Sequence, residues 1–336
     1  VRFCLTGTPL ENNLDELWAQ YDFVVPGYLG DRESFHLEWA TPIEKDRDER
    51  RLADLAVRIR PFLLRRTKAE VAPDLPKKVE KVIEVKMREA QRVLYDTVRI
   101  AMVGQVQKAL EEHGLDRTYR PLLAALTKMR QICCDPRLTP DLPNSATAGS
   151  AKLERLVALV EQRVAGGHKV LVFSAFAKML DLIGTALDDV GIAHVTLTGQ
   201  TQDRDKVIAR FQDEDIPVFL ISLKAGGAGL DLSVADTVVL YDGWWNPASE
   251  AQAIDRAHRI GQVRPVIVYR LKASDTIEDE MAKLKRRKSA LVNALMEATD
   301  ENADKEMEAD LAGLNEEKIK GAIEEIVAAF GTAKDG

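Results

Sequence analysis

The chain has 336 residues, 46% of them hydrophobic and 30% charged, the balance of a soluble globular protein with room for two domains. Its net charge of −7 argues against an evenly basic nucleic-acid binder, yet residues 300–336 alone carry eleven acids against four bases, which leaves the preceding chain neutral and able to form a local basic groove. No apolar run approaches the ~20 residues of a membrane span, no signal-peptide pattern opens the chain, and Cys4, Cys133 and Cys134 form no Cys-x-x-Cys pair, so membrane and disulfide-scaffold classes drop out and a reducing, cytoplasmic setting fits.

Val1–Leu5 is a short apolar run with strand character, leading into Thr6-Gly7-Thr8-Pro9. A lone strand cannot satisfy its edges, so its sheet partners are expected upstream and residue 1 is not expected to be the natural start. A helical pattern follows over Leu14–Tyr21, then turn signals at Pro26-Gly27 and Gly30-Asp31, and a second helix over 48–66 that ends at Pro61. Pro73 and Pro76 break the chain before Val79–Met87, which alternates like a strand. From 88 to 134 the pattern is helical with an interruption at Gly114, and the Pro/Ser/Gly-rich stretch 135–150 reads as the main boundary.

Beyond it strands and helices alternate. The expected strands are Lys169–Ala175, His194–Thr198, Val218–Ser222, Thr237–Asp242 and Val266–Leu271, separated by helical patterns over 151–165, 176–190, 203–213 and 248–259. Runs such as Val170–Phe173 and Val218–Ile221 are wholly apolar, as they must be where helices cover both faces of a parallel sheet. The fold class is therefore α/β, a doubly wound parallel sheet, with functional loops at the carboxyl ends of its strands.

Four such loops have compositions that a core does not require. Ser174 follows the first strand, where its hydroxyl caps a helix or touches a phosphate, and Thr198-Gly199-Gln200-Thr201 follows the second. The third is Ser222-Leu223-Lys224-Ala225-Gly226-Gly227-Ala228-Gly229-Leu230-Asp231-Leu232, in which glycines let backbone approach a ligand and Lys224 adds charge; a plain flexible turn has the same look. The fourth carries Trp244 and Trp245, core anchors or a wedge against a nucleic-acid groove. Then comes Gln252-Ala-Ile-Asp-Arg-Ala-His-Arg-Ile-Gly-Gln262. On a helix Gln252, Arg256 and Arg259 share one face, while Ile254, Ala257 and Ile260 form an apolar stripe on another. Two guanidinium forks side by side suit a phosphate whose charge grows during phosphoryl transfer; a solvated charged face is the other reading.

In this order the segments resemble the SWI/SNF-type ATPases of helicase superfamily two, up to about residue 298. Leu5–Trp18 looks like motif III, and Pro61–Lys68 and Leu75–Glu80 like the inter-motif blocks. Leu126–Leu138 is similar to the helical insertion, Val170–Phe176 to motif IV, Phe219–Leu232 to motif V, Asp242–Pro247 to the tryptophan element and Gln252–Gln262 to motif VI. The Trp-Trp-Asn-Pro-Ala and Leu-Thr-Gly-Gln versions look bacterial. Asp231 stands where the family usually has Asn and Gly243 where Pro is common. No Gly-x-x-x-x-Gly-Lys-Ser/Thr loop and no Asp-Glu-x-His box occurs in the chain.

The resemblance implies a RecA-like domain plan. Residues 1–87 would be the end of a first lobe and its linker, 88–140 the helical insertion, 141–298 the second lobe and 299–336 an acidic tail. It implies an ATP-driven translocase on double-stranded DNA, with ATP and Mg²⁺ held mainly by the first RecA-like lobe of the same protein and this fragment inactive alone. Arg259 and Arg256 would act on the γ-phosphate with Gln252 beside them. Thr6, Gly7, Thr8, Gly227, Gly229 and Asp231 would border the nucleotide. Ser174, Thr198, Ser222, Lys224, Gly226 and Trp245 would meet the DNA backbone without sequence preference. Ser274–Glu280 begins a capped helix that runs into the basic cluster Lys283–Lys288, another DNA-contact candidate or a solvated face. The residues also leave open a non-catalytic interaction module on the same fold and an RNA-directed helicase. The retained arginine pair weighs against the former, and the helical insertion and Ala-His-Arg-Ile-Gly-Gln ending against the latter.

Overall fold

The structure, a computed structural model, describes residues 1–6, 13–46, 48–225, 230–243 and 247–283. The chain forms two compact units, one containing Val1–Thr67 and the other Lys68–Trp245 and Ser249–Ala282. In the first, α1 (Leu14–Val24), α2 (Arg32–Phe35) and α3 (Glu49–Ile59) enclose a small core of Leu17, Tyr21, Phe35, Trp39, Leu55 and Ile59. Asp31 and Asp48 cap α2 and α3 by accepting from the Ser34 and Arg51 amides, satisfying N–H groups that a helix start leaves bare. The Tyr21 hydroxyl donates to the Ile59 carbonyl (2.7 Å), which fixes α1 to the end of α3.

The second unit begins with α4 (Lys68–Val71) and β1 (Lys78–Val85). Then follow α5 (Glu89–Cys134), α6 (Ala151–Ala165), β2 (Val170–Ser174), α7 (Ala177–Asp189), β3 (His194–Leu197), α8 (Arg204–Asp213), β4 (Val218–Ser222), β5 (Thr237–Leu240), α9 (Pro247–Ile254) and β6 (Val266–Ala273). Among the described residues the six strands make one wholly parallel sheet in the order β1-β6-β5-β2-β4-β3. The chain leaves β2 toward β3 and β4 and then returns past β2 for β5 and β6. The connection after β4, which carries the glycines, is therefore where the winding reverses, and such reversals create ligand crevices.

Side chains alternate across the sheet with period two. Leu171 and Phe173 join Phe219, Ile221, Phe211 of α8, and Ala253, Ile254 and Ala257 on one face. Val170 and Val172 join Leu156 and Val160 of α6 and Leu180 and Ile183 of α7 on the other. β2 and β4 are buried along their whole length, so each large aliphatic there contributes roughly 1.5–3 kcal/mol to the fold.

Several expectations need correction. Among the described residues Val1–Leu5 pairs with no strand, and Val1, Phe3 and Leu5 are exposed. α5 runs through Gly114 without a break. The strand expected at 79–87 is present as β1, which pairs in parallel with β6 at an edge of the second unit's sheet. A helical run over 32–46, not expected, fills the gap after Gly30, whose φ of +81° makes the turn that glycine tolerates best. The capped helix expected from Ser274–Glu280 is present over 277–283: the Thr276 amide donates to Asp279 (3.1 Å) and its hydroxyl accepts from Glu278 N–H (3.2 Å). Of the Lys283–Lys288 cluster, all but Lys283 lies outside the described residues, as does the acidic tail.

The largest correction concerns motif VI. The expected helix over 248–259 stops at Ile254, and residues 255–261 are turns. Arg256 and Arg259 therefore do not share a helix face with Gln252, and Ile260 is exposed rather than part of an apolar stripe.

Candidate functional site

At the carboxyl ends of β2 and β4, Ser174 and Ser222 stand opposite each other in register, both buried. Ser174 is fully committed inside: its hydroxyl donates to the Asp242 carboxylate and accepts from the Phe176 amide (3.1 Å), while Ala175 N–H donates to the other Asp242 oxygen (2.9 Å). Of the two readings of Ser174, these bonds match the cap at the start of the following helix. Arg130, buried at the end of α5, donates to the Gly243 carbonyl (2.7 Å), approaches Asp242 (3.9 Å) and lies over the Phe176 ring (5.2 Å). Burial raises the Asp242 pKa even though the Ser174 hydroxyl, Arg130 and the Ala175 amide favour its charge. Arg130 therefore secures the start of the tryptophan loop, a role its place in a long helical pattern did not reveal.

The two outer loops are more open. Thr198 is half-buried, its N–H donating to the Thr201 hydroxyl (2.9 Å) and its hydroxyl accepting from Gln200 N–H (3.2 Å), a self-closed turn. Lys224 is exposed two residues past β4. Gly226, Gly227, Gly229 and Trp245 lie outside the described residues, as do Gly7 and Thr8; Thr6 is exposed in the first unit.

The arginine turn is braced from three sides. Glu250, buried in α9, pairs with Arg270 of β6, which also reaches Glu80 of β1 (3.1 Å). Lys68 pairs with Asp255 (2.5 Å) and donates to the His258 carbonyl (2.7 Å), and His258 Nε2 donates to the Pro76 carbonyl (2.8 Å). Gln262 is buried: Nε2 donates to the carbonyls of Ser233 (2.9 Å), Ala235 (2.8 Å) and Ala257 (3.1 Å), and Oε1 accepts from the amides of Val263 (2.9 Å) and Arg264 (2.8 Å). Gly261 has φ +103°, a conformation that strains any L side chain. These bonds, rather than helical periodicity, set the path of residues 255–262.

On this turn Arg256 and Arg259 are both half-buried, as is Gln252 on α9. Burial, and then the charge of Arg259, pull the Arg256 pKa below its ordinary value. The Arg256 carbonyl accepts from Leu232 N–H (3.0 Å), and Arg259 donates to the Leu230 carbonyl (3.3 Å) with Nε 3.8 Å from Asp231. Asp231 caps its own loop, accepting from the Ser233 amide (3.1 Å) and hydroxyl (2.8 Å). Burial works against its charge, but the Ser233 hydrogen bonds and then Arg259 hold its pKa below the usual value. Arg256, Arg259 and Asp231 are thus brought together, while Asp242 is engaged by Arg130, Ser174 and Ala175.

Two family models match in succession, an SNF2-related domain over residues 1–138 and a helicase conserved C-terminal domain over 151–261. A Bacillus subtilis protein, YwqA, a proposed ATP-dependent helicase/translocase, is 38% identical over 88% of this chain, which covers 32% of that protein. The Sulfolobus solfataricus SWI2/SNF2 ATPase core in complex with double-stranded DNA is 32% identical with a TM-score of 0.53, covering 83% of this chain and 59% of that one. The C-terminal part of the Fun30 ATPase domain has a TM-score of 0.55 at 22% identity over 76% of this chain and 99% of its own, a likeness of fold alone. The chain spans between 27% and 32% of the first curated relatives it matches.

Proposed function

Because this chain belongs to the SNF2-related family of ATP-dependent helicases, with a RecA-like α/β sheet, we propose that it forms the arginine-bearing part of an ATP-driven translocase on double-stranded DNA. The observation that carries this reading is the pairing of Arg256 and Arg259 on one heavily braced turn. Two guanidinium groups held together repel each other, and an anion between them turns that cost into binding. Asp231 is a weak competitor: a partly exposed ion pair at 3.8 Å contributes about 0–1 kcal/mol, so Arg259 can exchange it for a phosphate.

In this reading Arg259 bonds the γ-phosphate oxygens, Arg256 adds charge beside it and Gln252 hydrogen-bonds nearby, with Gly227, Gly229 and Asp231 at the border. Bound ATP supplies the phosphoanhydride whose cleavage drives the cycle. The phosphate chain fits the two arginines. Among the described residues no group of three His, Cys, Asp or Glu could seat Mg²⁺. The 336 residues hold no Walker A loop, so the phosphate cradle and Mg²⁺ belong to a first RecA-like lobe carrying Thr6, Gly7 and Thr8 at its end, and this stretch alone does not turn over ATP.

DNA contact falls to Thr198, Ser222, Lys224, Gly226 and Trp245, through phosphates and without sequence preference. Residues 141–298 would form the second lobe, 88–140 the helical insertion, 1–87 the first-lobe end and a linker whose β1 joins the second lobe's sheet, and 299–336 an acidic tail. No helix among the described residues is long and apolar enough to cross a membrane, and a nucleoid-associated, cytoplasmic location suits the substrate. The test is ATP hydrolysis by the full-length protein with and without duplex DNA, with duplex RNA as a control. Stimulation by duplex DNA alone is expected; hydrolysis indifferent to nucleic acid, or driven equally by RNA, overturns the reading.

A further inference from the structure

Helix α8 carries two polar side chains that perform the same task eight positions apart. Arg204, at its first position, donates a guanidinium N–H to the Ala225 carbonyl, and Gln212, in its last turn, donates its amide to the Asp231 carbonyl (2.7 Å). Positions eight apart lie along one ridge of a helix, so one side of α8 is bonded to the chain immediately before and immediately after residues 226–229. A third anchor is apolar. Phe211 is fully buried on the sheet face that also holds Ala253, Ile254 and Ala257, so α8 and the arginine turn rest on one support.

The sequence has three glycines at 226–229, and α8 binds the described residues on either side, Ala225 and Asp231. On the near side lies exposed Lys224; on the far side the bonds continue directly to the arginines. Leu230 carbonyl accepts from Arg259 (3.3 Å), the Asp231 carboxylate lies 3.8 Å from Arg259 Nε, and Leu232 N–H donates to the Arg256 carbonyl (3.0 Å). A push on the Lys224 end of this loop is transmitted to Arg259 only if both ends of the loop are held.

We propose that α8 is the strut that couples the DNA side of this loop to the arginine side, with Arg204 and Gln212 as its positioning residues. The idea rests on the phosphate role of Arg259 given above. Gln212 is the cleaner probe, because it stands at the helix surface and only its amide donor is used.

The experiment uses the full-length protein with Gln212→Glu, which keeps size but replaces the donor by a carboxylate facing a carbonyl, and Gln212→Lys, which restores a donor. Amide hydrogen exchange at residues 230–233, without nucleotide, is expected to quicken about fivefold in Gln212→Glu, the shift that loss of one ordinary hydrogen bond allows. In Gln212→Lys it returns to the parent rate. DNA-stimulated kcat falls with it in Gln212→Glu, while KM for ATP and the melting temperature stay at parent values. Unchanged exchange, a Gln212→Lys variant as poor as Gln212→Glu, or quickened exchange with unchanged DNA-stimulated kcat would each overturn the strut. An Arg259→Ala control separates the two ideas: undiminished turnover there removes the phosphate role, whereas an inert Gln212→Glu beside an impaired Arg259→Ala condemns the strut alone.

Discussion

Gln262→Ala is the most demanding test of how the arginine turn is held. The side chain makes five hydrogen bonds between 2.8 and 3.1 Å, joining residues 257, 263 and 264 to the Ser233–Ala235 loop. In the alanine variant the Val263 and Arg264 amides, near an exposed stretch, regain water, but the carbonyls of Ala235 and Ala257 belong to buried residues. With about 1 kcal/mol lost for each of these two bonds, the cost comes to roughly 2 kcal/mol. For a unit of this size that corresponds to a fall of about 4–8 °C in Tm, at roughly 2–4 °C per kcal/mol. Thermal unfolding of the 336-residue chain, followed by circular dichroism, measures it. Gln262→Glu, which sets a carboxylate against three carbonyls, should be worse than alanine at neutral pH and recover on acidification as the buried acid takes up a proton. A Tm shift for Gln262→Ala below about 2 °C would refute the reasoning, since no more than one bond would then be at stake.

Other outcomes follow from the same geometry. Lys152 and Glu278 form a buried pair at 2.6 and 2.7 Å, so Lys152→Met alone should cost about 3–5 kcal/mol by stranding a carboxylate, and Lys152→Met with Glu278→Leu should recover most of it in denaturant unfolding. Ser174→Ala should lower the melting temperature by baring Asp242 and leave DNA affinity at the parent value; the reverse pattern would return Ser174 to the interface. Lys224→Ala should weaken duplex binding by the full-length protein and reduce the log–log salt slope by about one, whereas an unchanged slope would make Lys224 a structural residue.

Where burial decides the structure, the sequence is a good guide. Val218–Ser222 forms a strand with the expected limits and Ala151–Ala165 a helix with the expected limits, because wholly apolar runs and a Ser150 cap leave little alternative. Motif VI is different. Gln252–Arg259 is rich in good helix formers, yet α9 ends at Ile254, because Lys68, Pro76, Leu232 and Gln262 take the backbone and side chains of 255–262 into tertiary bonds. None of those partners is close in sequence except Gln262. The spacing that set the two arginines on one helix face with Gln252 does not hold, because the helix ends before them. Ser174 shows the same limit: its partner Asp242 is 68 residues away, so nothing local distinguishes a phosphate-binding hydroxyl from a committed one. Asp231, by contrast, caps its own loop through Ser233 two residues on, a partner close in sequence.

The central claim is that Arg259 stabilises charge growing on a phosphate rather than merely filling its turn. Single-turnover ATP hydrolysis by full-length Arg259→Ala on duplex DNA, alongside nucleotide affinity, addresses it directly. The account predicts a loss of about 10³-fold or more in the hydrolysis rate with ATP still bound, the scale of an arginine finger. A rate within about tenfold of the parent would contradict it, since so small a loss is less than a transition-state contact supplies.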